Sequence, residues 1–185
     1  GYAMCQMIED TGTKIAGRIA MVIGAGGISG VVADELAKRG ATEIRIVNRT
    51  PQKAEKLANI VREHTGVPTS YGSLSKKDLD RAAQDAGIVM QCTPLGMYGY
   101  NKDFEYKGFI DRLADHAILG DAVIVPDPTP LMEYARMRGH LTVGGMGMLA
   151  CQKQQIFKAT LGIDIGDDGK KAVYEIASTA LASLT

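Results

Sequence analysis

The stretch Ile19-Ala20-Met21-Val22-Ile23-Gly24-Ala25-Gly26-Gly27-Ile28-Ser29 decides the fold of this 185-residue chain. Its first five residues form an apolar run, which is typical of a parallel strand buried on both faces. A glycine-rich turn follows and opens a helical pattern, which is the context that a dinucleotide-binding fingerprint requires. Gly24 permits the tight turn, Gly26 lets the backbone approach a pyrophosphate, and Ser29 is small enough for close packing. The residues predicted to hold the pyrophosphate are Gly24, Ala25, Gly26, Gly27 and Ile28. The alternative is a tight strand–helix turn without a ligand.

The end of the second predicted strand, at 44–47, indicates which dinucleotide is bound. An NAD site usually has Asp or Glu about 20 residues beyond the glycine loop, where it binds both ribose hydroxyls. This chain has Asn48-Arg49-Thr50 there, with Lys53 one turn later. The planar guanidinium of Arg49 fits a phosphate, and no carboxylate is present to repel one. We therefore expect these four residues to hold the ribose phosphate of NADP. The alternative is that Arg49 and Lys53 are solvated surface charges.

Strand and helix patterns alternate along the rest of the chain. Further strands are predicted around 70–72 and at 88–92, 122–125 and 141–143, and helices at 29–39, from 51 onward, and at 75–86, 130–138, 147–161 and 169–183. This alternation predicts an α/β fold with a Rossmann-type, doubly wound parallel sheet, helices on both of its faces and additional C-terminal helices.

The composition excludes several classes of partner. Twenty-one basic residues balance 21 acidic ones, so no charged surface for nucleic acid or an anionic membrane is expected. No apolar run approaches the roughly 18 residues that span a bilayer. The cysteines are odd in number and widely spaced, which favours reduced thiols and a cytoplasmic location. None of the three histidines keeps metal-ligand spacing, so we expect no metal site.

Five ordered segments resemble the cofactor-binding half of the shikimate dehydrogenase family, over residues 1 to about 163. They are the glycine loop, Asn48-Arg49-Thr50-Pro51-Gln52-Lys53-Ala54, Thr93-Pro94-Leu95-Gly96-Met97, Asp121 with Pro126 and Thr129-Pro130-Leu131, and Gly145-Met146-Gly147-Met148-Leu149-Ala150-Cys151-Gln152. Glutamyl-tRNA reductase shares the first two segments but is not expected to carry the last. The resemblance implies a shikimate or quinate 5-dehydrogenase, an NADP-dependent oxidoreductase of aromatic amino acid biosynthesis. Such an enzyme transfers hydride between NADP and a cyclic hydroxy acid.

The resemblance also implies roles for residues near the nicotinamide. Those expected to border the cofactor are Thr93, Pro94, Ala122, Gly145 and Met148, and Gln152 is expected to reach the substrate. Ile124 stands where the family usually has a substrate-contacting tyrosine, so a hydroxyl is missing there. Shikimate, quinate and other cyclic hydroxy acids therefore remain open. The irregular loop 98–108 either adds contacts on the substrate side or is a mobile surface loop.

The catalytic lysine and aspartate of the family belong to an N-terminal substrate domain, and no such pair maps onto this chain. The family's aspartate lies in an Asn-Thr-Asp-Gly segment, and Gly1 matches the glycine. We expect a linker helix from a missing substrate domain at 1–13, an NADP-binding domain at 14–145, and C-terminal helices at 146–185 that dock on the missing domain. The chain alone is then expected to bind cofactor without acid/base catalysis. The alternative is a free-standing, non-catalytic module that binds or senses NADP(H).

Overall fold

The computed structural model describes residues 1–182, and its centre is a six-stranded, wholly parallel sheet. The strands are β1 (Ile19–Ile23), β2 (Glu43–Val47), β3 (Thr69–Gly72), β4 (Ile88–Gln91), β5 (Ile118–Asp121) and β6 (Leu141–Val143). Their spatial order is β3-β2-β1-β4-β5-β6. The chain thus reverses its direction of winding between β1 and β4, where doubly wound sheets bind their ligands. The predicted Rossmann-type α/β fold is confirmed.

Helices cover both faces of the sheet. They are α1 (Tyr2–Asp10), α2 (Gly27–Lys38), α3 (Pro51–Thr65), α4 (Lys76–Ala83), α5 (Pro130–Met137), α6 (Gly145–Leu161) and α7 (Gly166–Ala182), with a short 3₁₀ helix at Gly108–Arg112. Successive side chains of a strand point to opposite faces, so β1 places Ala20 and Val22 against α1, α2, α3 and α6. Its other two buried side chains, Met21 and Ile23, pack with α4 and α5. The two cores are therefore built from the same strands.

The fifth strand differs from the prediction. The apolar run at 122–125 was expected to be a strand, but β5 is Ile118–Asp121, and 122–125 is a loop. The register explains the difference: Gln91, the last residue of β4, pairs with Asp121, so the chain beyond Asp121 has passed the edge of the sheet. The apolar residues at 122–125 line a cleft at this edge instead.

The N-terminal helix is part of the domain core. Met4, Cys5 and Ile8 of α1 are fully or almost fully buried in the cluster that α2 and α3 also form. At the surface, Arg39 donates a hydrogen bond of 2.7 Å to Glu9 of α1 and another of 2.7 Å to Glu35 of α2. The segment predicted as a linker helix thus packs firmly on the helices that cover the parallel sheet.

The C-terminal helices α6 and α7 are both present, and each is largely exposed beyond the first part of α6. α6 begins two residues before the predicted start, and α7 three residues before it. The predicted end of the last helix, at 183, lies outside the described residues. Within residues 1–182, no helix is long and apolar enough to cross a membrane.

Candidate dinucleotide-binding site

The glycine loop begins where β1 ends, and its backbone geometry requires glycine at position 24. Gly24 has a φ of 117°, in the region that side chains rarely adopt. A Cβ there would also lie 3.0 Å from Ser29 Oγ and 3.1 Å from the Cys92 carbonyl oxygen. The Gly24 N–H donates to the Val47 carbonyl at 2.7 Å, which ties the loop to the end of β2.

The next two glycines face open space. A Cβ on Gly26 or Gly27 would meet no other atom within 4 Å. Gly26 is the N-cap of α2, and its N–H donates to the buried hydroxyl of Ser29 at 3.2 Å. The first amides of a helix have no partner within the helix, and with the positive end of the helix dipole they attract an anion. The loop therefore has both the space and the donors that a pyrophosphate needs.

Two uncommitted cations lie at the end of β2. Arg49 and Lys53 are exposed, and no other described residue forms an ion pair or side-chain hydrogen bond with either of them. The Asn48 side chain donates to the Thr50 carbonyl at 3.0 Å and shapes the turn into α3. Thr50 is the N-cap of α3, as predicted, but its hydroxyl makes no capping bond and stays available. These four side chains fit a phosphate monoester.

A cleft of about 630 Å³ opens at the carboxyl edge of the sheet, between the loops that follow β4 and β5. Its lining residues are mostly apolar and are Ile28, Cys92, Thr93, Pro94, Met97, Tyr98, Ala122, Val123, Ile124, Val125 and Leu181. Because Ile28 belongs to the first turn of α2, the cleft adjoins the glycine loop. An apolar slot beside a phosphate loop suits the faces of a flat ring.

The turn after β4 is fixed by the amide of Gln91, which is fully buried. Its Oε1 accepts hydrogen bonds from the Thr93 N–H at 2.6 Å and the Thr93 hydroxyl at 2.8 Å. Its Nε2 donates to the carbonyl oxygens of Thr93 at 2.9 Å and Leu95 at 3.2 Å. The amide of this one buried side chain thus fixes the main chain of the turn. No role was predicted for Gln91 from the sequence, although a glutamine at the end of an apolar strand indicates a buried polar group that needs hydrogen-bond partners.

The loop after β5 is anchored in a similar way by Asp121. This fully buried carboxylate accepts hydrogen bonds from the Val123 N–H at 2.9 Å and the Thr129 hydroxyl at 2.7 Å. The amide of Gln91 lies 3.4 Å away and links the two anchors. Burial raises the pKa of Asp121 to about 6, and the bonds from Val123 and Thr129 partly oppose this shift. The sequence marked Asp121 only as part of a resembling segment.

The N-terminus of α6 packs directly against the cleft wall. The Gly145 N–H donates to the Val123 carbonyl at 3.2 Å, and a Cβ at 145 would lie 2.9 Å from the Ala122 carbonyl oxygen. Asp127 accepts a hydrogen bond of 3.3 Å from the Met146 N–H, in place of the cap that Gly144 cannot supply. Burial raises the pKa of Asp127. Glycine at 145 is thus required by the close approach of two backbones.

Three predicted residues do not line the cleft: Gly145 packs behind its wall, and the other two lie further away. Met148 is buried in the core cluster against which Ala122 and Cys92 also pack, and Gln152 is exposed on α6. Ile124 does line the cleft. Among the described residues, no group of three or more His, Cys, Asp or Glu side chains is placed to hold a metal ion.

The sheet order, the open glycine loop, the free cations and the adjoining apolar cleft define a dinucleotide-binding domain. The sequence model of the family described as shikimate / quinate 5-dehydrogenase matches residues 6–98. The chain belongs to this family, as predicted.

Individual relatives agree with this membership. The chain is 35% identical over 153 residues to a shikimate dehydrogenase (NADP(+)) from Symbiobacterium thermophilum, covering 82% of this chain and 52% of that protein. The chain spans about half the length of the curated relatives it matches.

Solved structures of similar fold are also larger than this chain. The 5-ketofructose reductase of Gluconobacter sp. strain CHM43 matches with a TM-score of 0.81 at 25% identity, over 96% of this chain and 62% of that one. A shikimate dehydrogenase in complex with NADP+ matches with a TM-score of 0.77 at 27% identity, over 96% of this chain and 60% of that one.

Proposed function

We propose that the chain is the NADP(H)-binding domain of an oxidoreductase that transfers hydride between NADP and a cyclic hydroxy acid, shikimate or quinate. The observation that carries the proposal is the pair of uncommitted cations, Arg49 and Lys53, at the end of β2 beside an open glycine loop. Because no carboxylate occurs among residues 48–53, a 2′-phosphate is attracted there rather than repelled. The names of the curated relatives, which specify NADP(+), support this choice of cofactor.

The bound nicotinamide supplies the hydride chemistry, and the chain supplies binding and orientation. Gly24 to Ile28 hold the pyrophosphate with main-chain amides, and Asn48, Arg49, Thr50 and Lys53 hold the 2′-phosphate. Thr93, Pro94 and Ala122 form the walls of the apolar cleft, and Gly145 lets α6 close against them. Met148 supports this wall from the core. The apolar walls of the cleft fix the plane of the ring.

We further propose that a substrate domain supplies the catalytic lysine and aspartate, and that α6 and α7 dock on it. In this scheme 1–13 is the linker helix, 14–145 the NADP-binding domain and 146–185 the docking segment, with Gln152 and Ile124 facing the substrate. Large apolar side chains exposed on these helices and their connection support the docking; they are Ile156, Phe157, Leu161, Ile163, Tyr174 and Ile176. Three free cysteines support a cytoplasmic location.

Cofactor titration and activity assays test the proposal separately. We expect the chain alone to bind NADPH, measured by its fluorescence, and to prefer it to NADH by about tenfold or more, since the 2′-phosphate adds charge-assisted hydrogen bonds. We expect oxidation of shikimate or quinate by NADP+ only when the substrate domain is present. Stronger binding of NADH would overturn the choice of cofactor. Tight NADPH binding without activity on either acid, with both domains present, would overturn the choice of substrate and leave the choice of cofactor standing.

A further inference from the structure

The turn after β4 presents the side chain of Tyr98 at the cleft. The Tyr98 N–H donates to the Val125 carbonyl at 2.9 Å, which fastens the turn to the facing loop. The Gly96 N–H donates to Lys102 at 2.8 Å, and the Tyr100 N–H donates to Met97 at 3.1 Å. Hydrogen bonds before, at and after Tyr98 therefore fix its backbone. This part of the loop 98–108 is held in place, and the aromatic ring is displayed from a defined position.

Tyr98 carries the cleft's uncommitted hydroxyl. Of the residues that line the cleft, only Thr93 and Tyr98 have hydroxyl groups. The Thr93 hydroxyl already donates to Gln91 and accepts from the Leu95 N–H. Tyr98 is 63% exposed, and within residues 1–182 its hydroxyl has no hydrogen-bond partner. A polar group is therefore available over an otherwise apolar slot.

The position of Tyr98 points to the substrate rather than to the cofactor. Ile28, which directly follows the glycine loop, marks the side of the cleft on which we propose that the cofactor binds. Tyr98 instead lies seven residues beyond the end of β4 and bonds to Val125, four residues beyond the end of β5. Tyr98 and Val125 thus lie on the parts of the two loops that are remote from the strand ends. Ile124, beside Val125, contributes no hydrogen-bonding group there.

We propose that Tyr98 is a specificity-determining residue whose hydroxyl binds a ring hydroxyl of the substrate. The inference rests on the proposed function, since it requires a polyhydroxylated substrate at the outer end of the cleft. A tyrosine hydroxyl both donates and accepts, so it matches an alcohol, and its ring packs on the apolar face of a carbon ring. A site that hydrogen-bonds a substrate hydroxyl also rejects analogues that lack it.

The test compares Tyr98→Phe with Tyr100→Phe, a matched control on the same turn that does not line the cleft. Both are made in the protein with its substrate domain. We expect Tyr98→Phe to raise the KM for the preferred acid about tenfold, the size of one lost hydrogen bond, with the Kd of NADPH unchanged. Tyr100→Phe leaves both constants unchanged. Adding Ile124→Tyr to Tyr98→Phe returns a hydroxyl from the facing loop and lowers the KM again.

Several results would overturn the inference. An unchanged KM in Tyr98→Phe shows that the hydroxyl does not bind the substrate. A rise in the Kd of NADPH that matches the rise in KM makes Tyr98 a cofactor contact instead. If the wild-type protein acts on neither shikimate nor quinate, the proposed function fails first and this inference falls with it. Because urea unfolding is measured for every variant, a misfolded protein is distinguished from the loss of a cofactor contact.

Discussion

The phosphate end of the site, as we call the region of Gly24–Ile28 and 48–53 where we propose that the cofactor phosphates bind, is made of main chain and exposed charge. The cleft end, by contrast, is made of apolar loops that buried polar side chains hold in place. At the phosphate end, Gly24 and Gly26 shape the loop, and Arg49 projects freely into solvent. At the cleft end, Gln91 and Asp121 are fully buried, and each fixes one loop through several hydrogen bonds. Ligand binding at the phosphate end should therefore depend on backbone geometry and salt concentration. The shape of the cleft end should depend on the hydrogen bonds of Gln91 and Asp121.

The strongest test of the phosphate end is Gly24→Ala. The new Cβ meets three neighbouring groups, and the positive φ strains any side chain, so we expect the free energy of unfolding to fall by about 2–5 kcal/mol. NADPH binding should be lost with the loop. Gly27→Ala is the matched control for stability because its Cβ meets open space. Urea unfolding measures both variants, and equal stability of the two would refute the geometric account of Gly24.

The raised pKa of Asp121, at the cleft end, predicts an unusual pH dependence of the free energy of unfolding. The folded pKa of Asp121 is about 6 against an ordinary 3.8, so the folded state binds the proton more tightly than the unfolded one. Its contribution to stability is therefore largest below about pH 4 and is lost as the pH rises through 6, by up to about 3 kcal/mol. Asp121→Asn removes the titration. The difference in unfolding free energy between wild type and Asp121→Asn should shift in favour of wild type as the pH falls; a constant difference contradicts this.

The smallest expected effect concerns charge at the phosphate end. Arg49→Ala removes an exposed cation that has no ion pair with any other described residue, so we expect stability to stay unchanged while the Kd of NADPH rises about 10- to 100-fold. The Kd of NADH should move by less than about twofold, because NADH lacks the 2′-phosphate. Lys56→Ala, an exposed position further along α3, is the control. Equal weakening of both cofactors would show that Arg49 does not recognise that phosphate.

The difference between the phosphate end and the cleft end also explains which features could be predicted from the sequence. The alternation of strands and helices was enough to predict the sheet, and the local spacing of the glycine loop and Arg49 was enough to predict NADP as the cofactor. Gln91 acts through atoms on a neighbouring turn, and its role follows only from tertiary packing. The misplaced fifth strand has the same origin, since apolar residues at 122–125 look alike whether they enter a sheet or line a cleft. The roles of Met148 and Gln152 stay predictions.

In the cleft, the residues that hold the loops in place differ from the residues that line the cavity. This difference affects which substitutions the protein tolerates. Gln91 and Asp121 keep the two loops in place from inside the sheet, whereas Ile124 and Tyr98 only face the cleft. Substitutions at the facing positions therefore alter the shape and polarity of the cavity at little cost in stability. A combinatorial library confined to these positions should retain folded members at high frequency. If the cleft binds the substrate as we propose, single mutations at these positions should change substrate preference without first requiring stabilising ones.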